Sequence, residues 1–280
     1  MAFQNINGFP TSSRHPKNNQ IQLAWEELDI DILGVSETNM FWPNLPFADR
    51  LQERLFGWFE RLHINFAFTS KERAKERYQS GGTALFARNE LASRALFSGR
   101  DPRGLGRWVW TRFQGKHNIT LRVCFAYRPC RSAGPTSAYQ QHRRALLEED
   151  IDICPRTSFF VDLKQEVETW IQDGDQVVLM LDVNADIRSV SEIAEMGLVD
   201  ALTHRHGPGC PATFQEGTSP IDGVFVTPGL LHQRCGVLAF GYLAIIGQCG
   251  WICLTTWFLV HKIYRLISLL HDASNSMTHE

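Results

Sequence analysis

The chain has 280 residues, of which 44% are hydrophobic and 21% are charged, and its formal net charge is −2. This length and hydrophobic content are enough for one large core, as in single-domain α/β enzymes. The near-zero charge excludes a strongly basic nucleic-acid binder, so any contact with DNA must come from local patches. The seven cysteines include no CxxC pair, and an odd count without a signal peptide argues against a disulfide framework. We therefore expect reduced thiols and an intracellular protein, nuclear or cytoplasmic.

Apolar periodicity predicts helices and strands in mixed order along the chain. Helices are expected at 19–28, 50–60, 138–149 and 159–172. Strands are expected within 29–38, 81–88, 107–114, 118–127, 174–186 and 220–231. The N-terminus begins almost inside a motif, so we expect that part of a first strand is missing. Because some strands alternate with helices while others form hairpins, the pattern predicts mixed sheets flanked by helices.

Polar and acidic residues recur where apolar strands end. They are Asn5, Asn7, Glu37, Tyr127, Asp182, Asn184 and Asp222. Loops at strand ends are where α/β sheets place their sites. Carboxylate and amide oxygens suit Mg²⁺, which takes one or two carboxylates and keeps several waters, whereas zinc prefers His and Cys. The pattern therefore predicts a magnesium site.

Five short motifs, in this order, resemble the endonuclease/exonuclease/phosphatase family. They are NING near the start, SET, AYRP, the acid-x-Asn pair in LDVNAD, and IDGVFV. Each motif alone is a weak signal, but five in family order are strong together. The resemblance runs over about 3–240 and is greatest to the nuclease domains of LINE-type retrotransposons. It implies an α/β fold, a four-layer sandwich of two mixed β-sheets flanked by helices.

The resemblance also implies a metal and substrate set. Asn5 and Glu37 would lie at a Mg²⁺ ion, with Mn²⁺ as a substitute, and Glu37 would be the direct ligand. Asn7 falls where many members carry Asp, so a neutral amide there would weaken any second metal position and would contact substrate. Tyr127 would contact the scissile phosphate.

The remaining motif residues would serve the attacking water. Asp182 would orient or deprotonate it, and Asn184 would hold the phosphate or align Asp182. Asp222 would normally orient a histidine near the C-terminus. The implied reaction is in-line attack of water on a phosphodiester.

Each of these residues also has a purely structural explanation. Asn5 and Asn7 could be turn formers before Gly8, and Glu37 could cap a helix. Asp182 and Asn184 could form an Asx turn. Tyr127 could be an ordinary strand aromatic, and Asp222 a surface strand residue. All of these explanations must hold at once to remove the site, so we favour the site.

Basic residues cluster at 71–77, 100–107, 128–131 and 142–144 and could track a phosphate backbone. For 71–77 the interspersed glutamates favour a solvated helix face instead. Arg128, directly after Tyr127, is a better candidate for substrate contact.

The chain carries no charge from 236 to 260, and this run meets the hydropathy criterion for a membrane-spanning helix at about 238–260. His261, Lys262 and Arg265 follow it as a basic flank would. We therefore divide the chain into a domain at 1–240 and an aberrant apolar tail at 241–280.

In the resembled family the last motif of the domain contains an Asp-His pair. The stretch where it is expected here, GYLAIIGQCGWICL, contains no acid and no histidine. Read from the third base of each codon, 243–253 permits Gly-Asp-His-Arg followed by a strand-like sequence. We therefore hypothesise a frameshift near 241–243, either a lesion in a decayed mobile element or an error in the assigned reading frame. A true membrane anchor is the alternative. The frameshift hypothesis would be wrong if the nucleotide sequence of this region encoded no GDHR in another reading frame.

Three functions remain open from the sequence. The first is Mg²⁺-dependent endonuclease-like hydrolysis of nucleic acid by a retrotransposon-derived domain, impaired by loss of the Asp-His pair. The second is a phosphatase for inositol phosphates or phospholipid, and the third a catalytically dead remnant. Whether the chain is an active enzyme is thus left open. We expect DNA as the substrate, a monomer without a defined protein partner, and membrane contact only if the apolar run is an anchor.

Overall fold

The computed structural model describes residues 1–115, 119–207, 212–213, 218–231, 235–237 and 258–260. Within these residues the strands are β1 Ala2–Asn5, β2 Ile32–Ser36, β3 Leu62–Ala67, β4 Thr83–Arg88, β5 Ala95–Arg100, β6 Trp108–Gln114, β7 Thr120–Tyr127, β8 Gln176–Asp182, β9 Val199–Asp200, β10 Asp222–Val226, β11 Cys235–Val237 and β12 Phe258–Val260. The helices are α1 Pro16–Glu27, α2 Leu51–Arg54, α3 Asn89–Ser93, α4 Ala138–Glu148, α5 Pro155–Gln172, α6 Ser191–Ala194 and α7 Ala201–His206.

The strands form two mixed sheets. The first has the order β11-β12-β1-β2-β4-β3 and the second the order β5-β6-β7-β8-β10-β9. Each sheet contains one parallel pair, β1 with β2 and β7 with β8, and its other pairs are antiparallel. Since parallel neighbours end at the same edge, each sheet brings two strand C-termini together.

The two sheets pack face to face. Phe3 of the first sheet lies against Phe125 of the second, with ring centroids 5.4 Å apart. Gly34 permits this approach, because a Cβ there would come within 2.7 Å of the Phe125 ring. Ile32, Phe125 and Met180 belong to one buried cluster between the sheets. The alternate strand residues face helices, which explains why β2 is buried on both faces.

One long helix covers the outer face of each sheet. Trp25 of α1 packs with Leu33 and Val35 on the first sheet. On the second sheet, α5 buries an apolar stripe with the spacing of a helix face, against residues that include Trp108 and Leu179. The stripe consists of Phe159, Leu163, Val167 and Trp170. The predicted four-layer α/β sandwich is therefore confirmed.

Two local predictions were wrong. The helix expected at 50–60 is reduced to Leu51–Arg54, because the buried Arg54 side chain turns to the Pro10 carbonyl and Gly57 takes a φ of 81°. The segment 71–77 is solvated but not helical. Its carbonyls at 74–76 accept hydrogen bonds from the Asn44 side chain, which replaces helical pairing.

The C-terminal tail falls largely outside the described residues, and so does most of the expected membrane span at 238–260. Its described strand β12 pairs antiparallel with β1, with Ala2 opposite Leu259 and Phe3 opposite Phe258. In the part of the chain that the structure describes, no helix has the length and apolar character needed to cross a membrane.

Candidate active site

The sequence-predicted residues converge where the two sheets meet at one edge of the sandwich. Asn5 ends β1, and its Nδ2 donates to Oδ2 of Asp182, at the end of β8, over 3.2 Å. Ser36, which ends β2, donates to the same oxygen through its hydroxyl, also over 3.2 Å. In the second sheet, Asp182 lies beside Tyr127 on β7 and Asp222 on β10. One carboxylate therefore joins the two sheets at the site.

The loops after β1 and β2 hold each other in place. The amides of Gly8 and Phe9 donate to the carbonyls of Glu37 and Thr38, over 2.7 and 2.9 Å. The Asn7 amide donates to Asn5 Oδ1 over 3.0 Å, so the Asn5 side chain is oriented from both ends. Asn7 itself is exposed at the rim of the site. This cross-linking fixes the predicted metal-binding segment.

Three of the predicted site residues have left-handed backbone conformations. The φ angles are 45° at Asn7, 51° at Glu37 and 51° at Asn184. Asn tolerates this region, but for Glu it is unusual and costs free energy. Such strain persists where surrounding contacts impose it, and it concentrates at functional sites. The strain supports a functional explanation of Glu37 over a helix cap.

Asp182 is the most constrained acid of the site. Its side chain is buried, and burial raises its pKa to about 7, with a further upward contribution from the Glu37 charge. Hydrogen bonds from Ser36 and Asn5 offset part of this rise in pKa. The backbone amide of Asn184 also approaches the carboxylate and lowers its pKa, but it makes no hydrogen bond of good geometry to the buried Oδ1. A carboxylate with this pKa is suited to accept a proton from water near neutral pH.

Tyr127 and Glu37 form a second contact between the sheets. Burial raises the pKa of the Tyr127 phenol well above its ordinary value, and the charges of Glu37 and Asp182 raise it further. A hydrogen bond between the phenol and Glu37 contributes in the same direction. Tyr127 therefore remains protonated and able to donate a hydrogen bond.

Asp222 is buried, with 8% of its surface exposed, so it is not a surface strand residue. Its amide donates to the Thr213 hydroxyl over 3.1 Å. Burial raises the pKa of its carboxyl well above the ordinary value, the neighbouring Asp182 charge adds to the rise, and a hydrogen bond with Thr213 opposes it. Asp222 thus supplies a second buried carboxyl next to Asp182.

A hydrogen bond joins the Asn184 side chain to the Arg128 backbone, and the predicted role of Asn184 at the phosphate or at Asp182 stays a prediction. Asn184 Nδ2 donates to the Arg128 carbonyl over 2.9 Å. The Arg128 guanidinium stacks 4.6 Å from the Phe160 ring centroid and donates to the Arg156 carbonyl. Burial lowers its pKa to about 10, and the charge of Arg156 adds to the decrease. Arg128 is therefore half-buried against α5, and its predicted substrate contact stays a prediction.

Arg156 was not predicted from the sequence. It lies in the first turn of α5, and its guanidinium donates to the carbonyls of Pro129 over 2.7 Å and Asn184 over 3.0 Å. These carbonyls belong to the loops after β7 and β8, which carry Tyr127 and Asp182. Ser36 was also missed, although it stands directly before Glu37 in the SET motif, where its hydroxyl was within reach of the site.

The donor set fits a hard divalent cation. Among the described residues, no three His, Cys, Asp or Glu side chains group closely enough to hold a metal by themselves. Mg²⁺ does not need such a group, because one or two carboxylates with amide oxygens and waters suffice. Glu37 and Asn5 provide that chemistry, and Asp182 lies beside them. Burial raises the pKa values of Asp182 and Tyr127, and nearby negative charge raises them further; a bound cation would oppose the second effect.

Comparison with known proteins supports the fold. No family model matches the sequence, and no curated protein matches it. Three solved structures are similar over nearly the whole chain. An AP endonuclease from Archaeoglobus fulgidus has a TM-score of 0.60 at 16% identity, covering 93% of this chain and 98% of its own.

The other two structures give similar values. A variant of the 3' phosphatase NExo from Neisseria, bound to product DNA hairpin, has a TM-score of 0.59 at 14% identity, covering 94% of this chain and 100% of its own. An endonuclease/exonuclease/phosphatase family protein from Leptotrichia buccalis has a TM-score of 0.56 at 13% identity, with coverage of 94% and 100%. At these identities the likeness establishes a shared fold.

Proposed function

We propose that this chain, which has the fold of the endonuclease/exonuclease/phosphatase family, hydrolyses phosphodiester bonds in nucleic acid with a bound divalent cation. One observation carries the proposal. Asn5 and Ser36 of the first sheet donate hydrogen bonds to the buried Asp182 carboxylate of the second sheet, and Glu37 and Tyr127 lie beside this carboxylate. A purely structural role does not explain a buried acid with an oxygen that makes no hydrogen bond of good geometry among the described residues.

The cation is Mg²⁺, replaceable by Mn²⁺, held by Glu37 and Asn5. When bound, it supplies a positive charge that stabilises the negative charge developing on the phosphate. Asp182 then accepts a proton from the attacking water, and Ser36 and Asn5 keep the carboxylate oriented through Oδ2. The Tyr127 phenol, whose hydrogen bond goes to Glu37 in this structure, donates to a phosphate oxygen instead once Glu37 holds the cation. Asn7, at the exposed rim, contacts the substrate strand.

The proposed activity is reduced in the chain as written. The tail at 241–280 lacks the Asp-His pair with which the resembled family closes, so Asp222 has lost the group that it would orient. General acid–base residues contribute about 10²–10⁴-fold to rate. A retrotransposon origin and a frameshift near 241–243 account for both the LINE-like motifs and the apolar tail. The catalytic unit is then 1–240.

Nucleic acid is the favoured substrate because two of the similar structures are named as acting on it or bound to it, an AP endonuclease and a 3' phosphatase with a DNA hairpin. The test is nicking of supercoiled plasmid with Mg²⁺, for the chain as written and for a version restored to GDHR. Asp182→Asn in each serves as the inactive control.

We expect Mg²⁺-dependent nicking that is stronger in the restored chain than in the chain as written. Both EDTA and Asp182→Asn should abolish it. Phosphate release from phosphoinositides without nicking would favour a phosphatase. Absence of both in the restored chain would support a dead remnant and overturn the proposal.

A further inference from the structure

An open pocket of about 320 Å³ begins at the rim of the active site and extends away from it. It lies between the loop after β1, the start of α1 and the loops that carry Asn39 and Tyr78. Its lining includes Asn7, Pro10, His15, Lys17, Asn39 and Tyr78, and we call it the Tyr78 pocket. Its volume matches that of small-molecule sites, which begin at about 300 Å³.

An aromatic ring forms the outer wall of the Tyr78 pocket. Tyr78 leaves 56% of its surface exposed, and its backbone is held in place. A β-bridge joins it to Met40, and the next amide, of Gln79, donates to the Asn39 carbonyl. The ring is thus presented to solvent on a fixed backbone, which is the arrangement of a stacking platform.

The inner wall is also fixed. Arg54 donates to the carbonyls of Pro10 over 2.6 Å and Thr11, and its guanidinium lies 5.7 and 5.8 Å from the ring centroids of Phe9 and Trp42. Asn39 has a left-handed backbone and accepts the Gly81 amide on Oδ1 over 2.8 Å. The pocket is therefore preformed, which lowers the entropic cost of binding.

The charges around the pocket are those that attract a phosphate. The Lys17 ammonium lies against the carbonyls of Ile6 and Gly8, over 2.7 Å each, beneath the loop that carries Asn7. His15 accepts the Lys17 amide on Nδ1, which leaves Nε2 as the ring nitrogen that can donate to a ligand. The segment 71–77 before Tyr78 adds three exposed basic residues, Arg73, Lys75 and Arg77, and one exposed acid, Glu76. Its other two charges are paired, Lys71 with Glu149 and Glu72 with Arg144.

We propose that the Tyr78 pocket binds the nucleotide adjacent to the cleaved bond, with the base stacked on Tyr78 and its phosphate near His15 and Lys17. The inference rests on the proposed function, because Asn7 joins the pocket to the active site. It makes the substrate a polynucleotide strand rather than a phosphomonoester. An aromatic face accepts every base, so the pocket confers strand binding with little base preference.

The test is equilibrium binding of a fluorescein-labelled single-stranded deoxyoligonucleotide, measured by anisotropy in EDTA so that nothing is cleaved. Tyr78→Ala is compared with Tyr78→Phe and with Phe97→Ala, which removes an exposed aromatic from the edge strand of the other sheet. We expect Tyr78→Ala to weaken binding about tenfold, in the range measured for base–aromatic stacking. Tyr78→Phe and Phe97→Ala should bind as the unmodified chain does.

A second measurement identifies the nucleotide. Abasic substitution at one position of the strand should weaken binding to the unmodified chain, and the penalty should disappear in Tyr78→Ala. Equal binding by Tyr78→Ala and the unmodified chain would overturn the proposal. So would an abasic penalty that persists in the variant, since the base would then contact another surface.

Hydrolysis of bis-p-nitrophenyl phosphate, a diester too small to reach the pocket, distinguishes failure of the pocket proposal from failure of the proposed function. Hydrolysis of this diester with no effect of Tyr78→Ala on oligonucleotide binding would overturn the pocket and leave the proposed function standing. Weakened binding in Tyr78→Ala without diester hydrolysis, even after restoration of GDHR, would overturn the function and leave the pocket.

Discussion

Asp182 and Asp222 lie directly opposite each other on the neighbouring antiparallel strands β8 and β10, and both are buried. Side chains at opposed positions share one face of the sheet and are about 5 Å apart at Cβ. Burial raises the pKa of both carboxyls; the Glu37 charge adds to the rise at Asp182, and the Asp182 charge adds to the rise at Asp222. The pair therefore stores unfavourable electrostatic energy at neutral pH, which has consequences for stability.

Asp182→Asn should stabilise the metal-free protein at high pH. The folded-state pKa of Asp182 is about 7, above the value of about 3.9 for an unfolded chain. The contribution of this carboxyl to stability is complete below about pH 4 and is lost as pH rises through about 7. At about pH 8 the variant should gain up to ~4 kcal/mol in free energy of unfolding, and near pH 4 almost nothing.

Urea denaturation in EDTA at the two pH values measures this gain. Asp186→Asn is the control for an acid outside the buried pair. A gain from Asp182→Asn of the same size at both pH values would contradict the raised pKa.

Arg156 should act as a positioning residue for Tyr127 and Asp182. Its guanidinium holds the loops after β7 and β8 together through two carbonyls, and a misplacement of about 1 Å can cost about 10²-fold in rate. Arg156→Gln should lower kcat on a small diester by about tenfold or more, with little change in KM. Arg156→Lys should recover only part, because one ammonium cannot reproduce the fork.

The matched control is Arg188→Gln, which removes an exposed arginine that pairs with Asp186 on its own loop. Kinetics of the GDHR-restored chain, with thermal melting of each variant, separate positioning from folding. A raised KM with unchanged kcat would show that Arg156 serves binding instead.

Gly82→Ala should disrupt the Glu37 loop. Gly82 has a φ of 85°, and a Cβ there would lie 2.5 Å from the Thr38 hydroxyl. Gly174 has nearly the same φ, 81°, but a Cβ there would meet nothing within 4 Å. Gly174→Ala should therefore cost only the backbone strain, about 1 kcal/mol. Gly82→Ala should cost about 2 kcal/mol more in free energy of unfolding, from overpacking. Equal losses in urea denaturation would contradict the predicted clash.

Restoring the reading frame so that 243–253 encodes Gly-Asp-His-Arg should raise diester hydrolysis by about 10²-fold or more, the contribution of a general acid–base group. Asp222→Asn should then reduce activity strongly in the restored chain and only slightly in the chain as written. An equal effect of Asp222→Asn in both chains would contradict the loss of a partner for Asp222.

Local patterns predicted the strands β2, β4, β6, β7, β8 and β10 but not β3, β5 or β9, and the roles of the acids at the strand ends stay predictions. Apolar runs ending in Asp182 or Glu37 are buried strands whose last residues face the site. The short helix at Leu51–Arg54 and the loop at 71–77 could not be predicted. Their conformations depend on distant partners, the Pro10 carbonyl for Arg54 and Asn44 for the loop.

The site residues that escaped prediction share that dependence on distant parts of the chain. Arg156 donates to the carbonyl of Pro129, 27 residues before it in the chain, and to that of Asn184, 28 residues after it. No periodicity links such positions. The Thr213 hydroxyl likewise reaches Asp222 only because a loop returns beside β10. Motifs therefore identified the acids, and the fold identified the groups that orient them.

Binding of a divalent cation by Glu37 and Asn5 can be measured by titrating Mn²⁺ into the chain and following free Mn²⁺ by electron paramagnetic resonance. We expect one site whose affinity falls by about tenfold or more in Glu37→Gln and is unchanged in Glu27→Gln, an exposed glutamate on α1. Binding of equal affinity in Glu37→Gln and the unmodified chain, or no binding by either, would contradict this expectation.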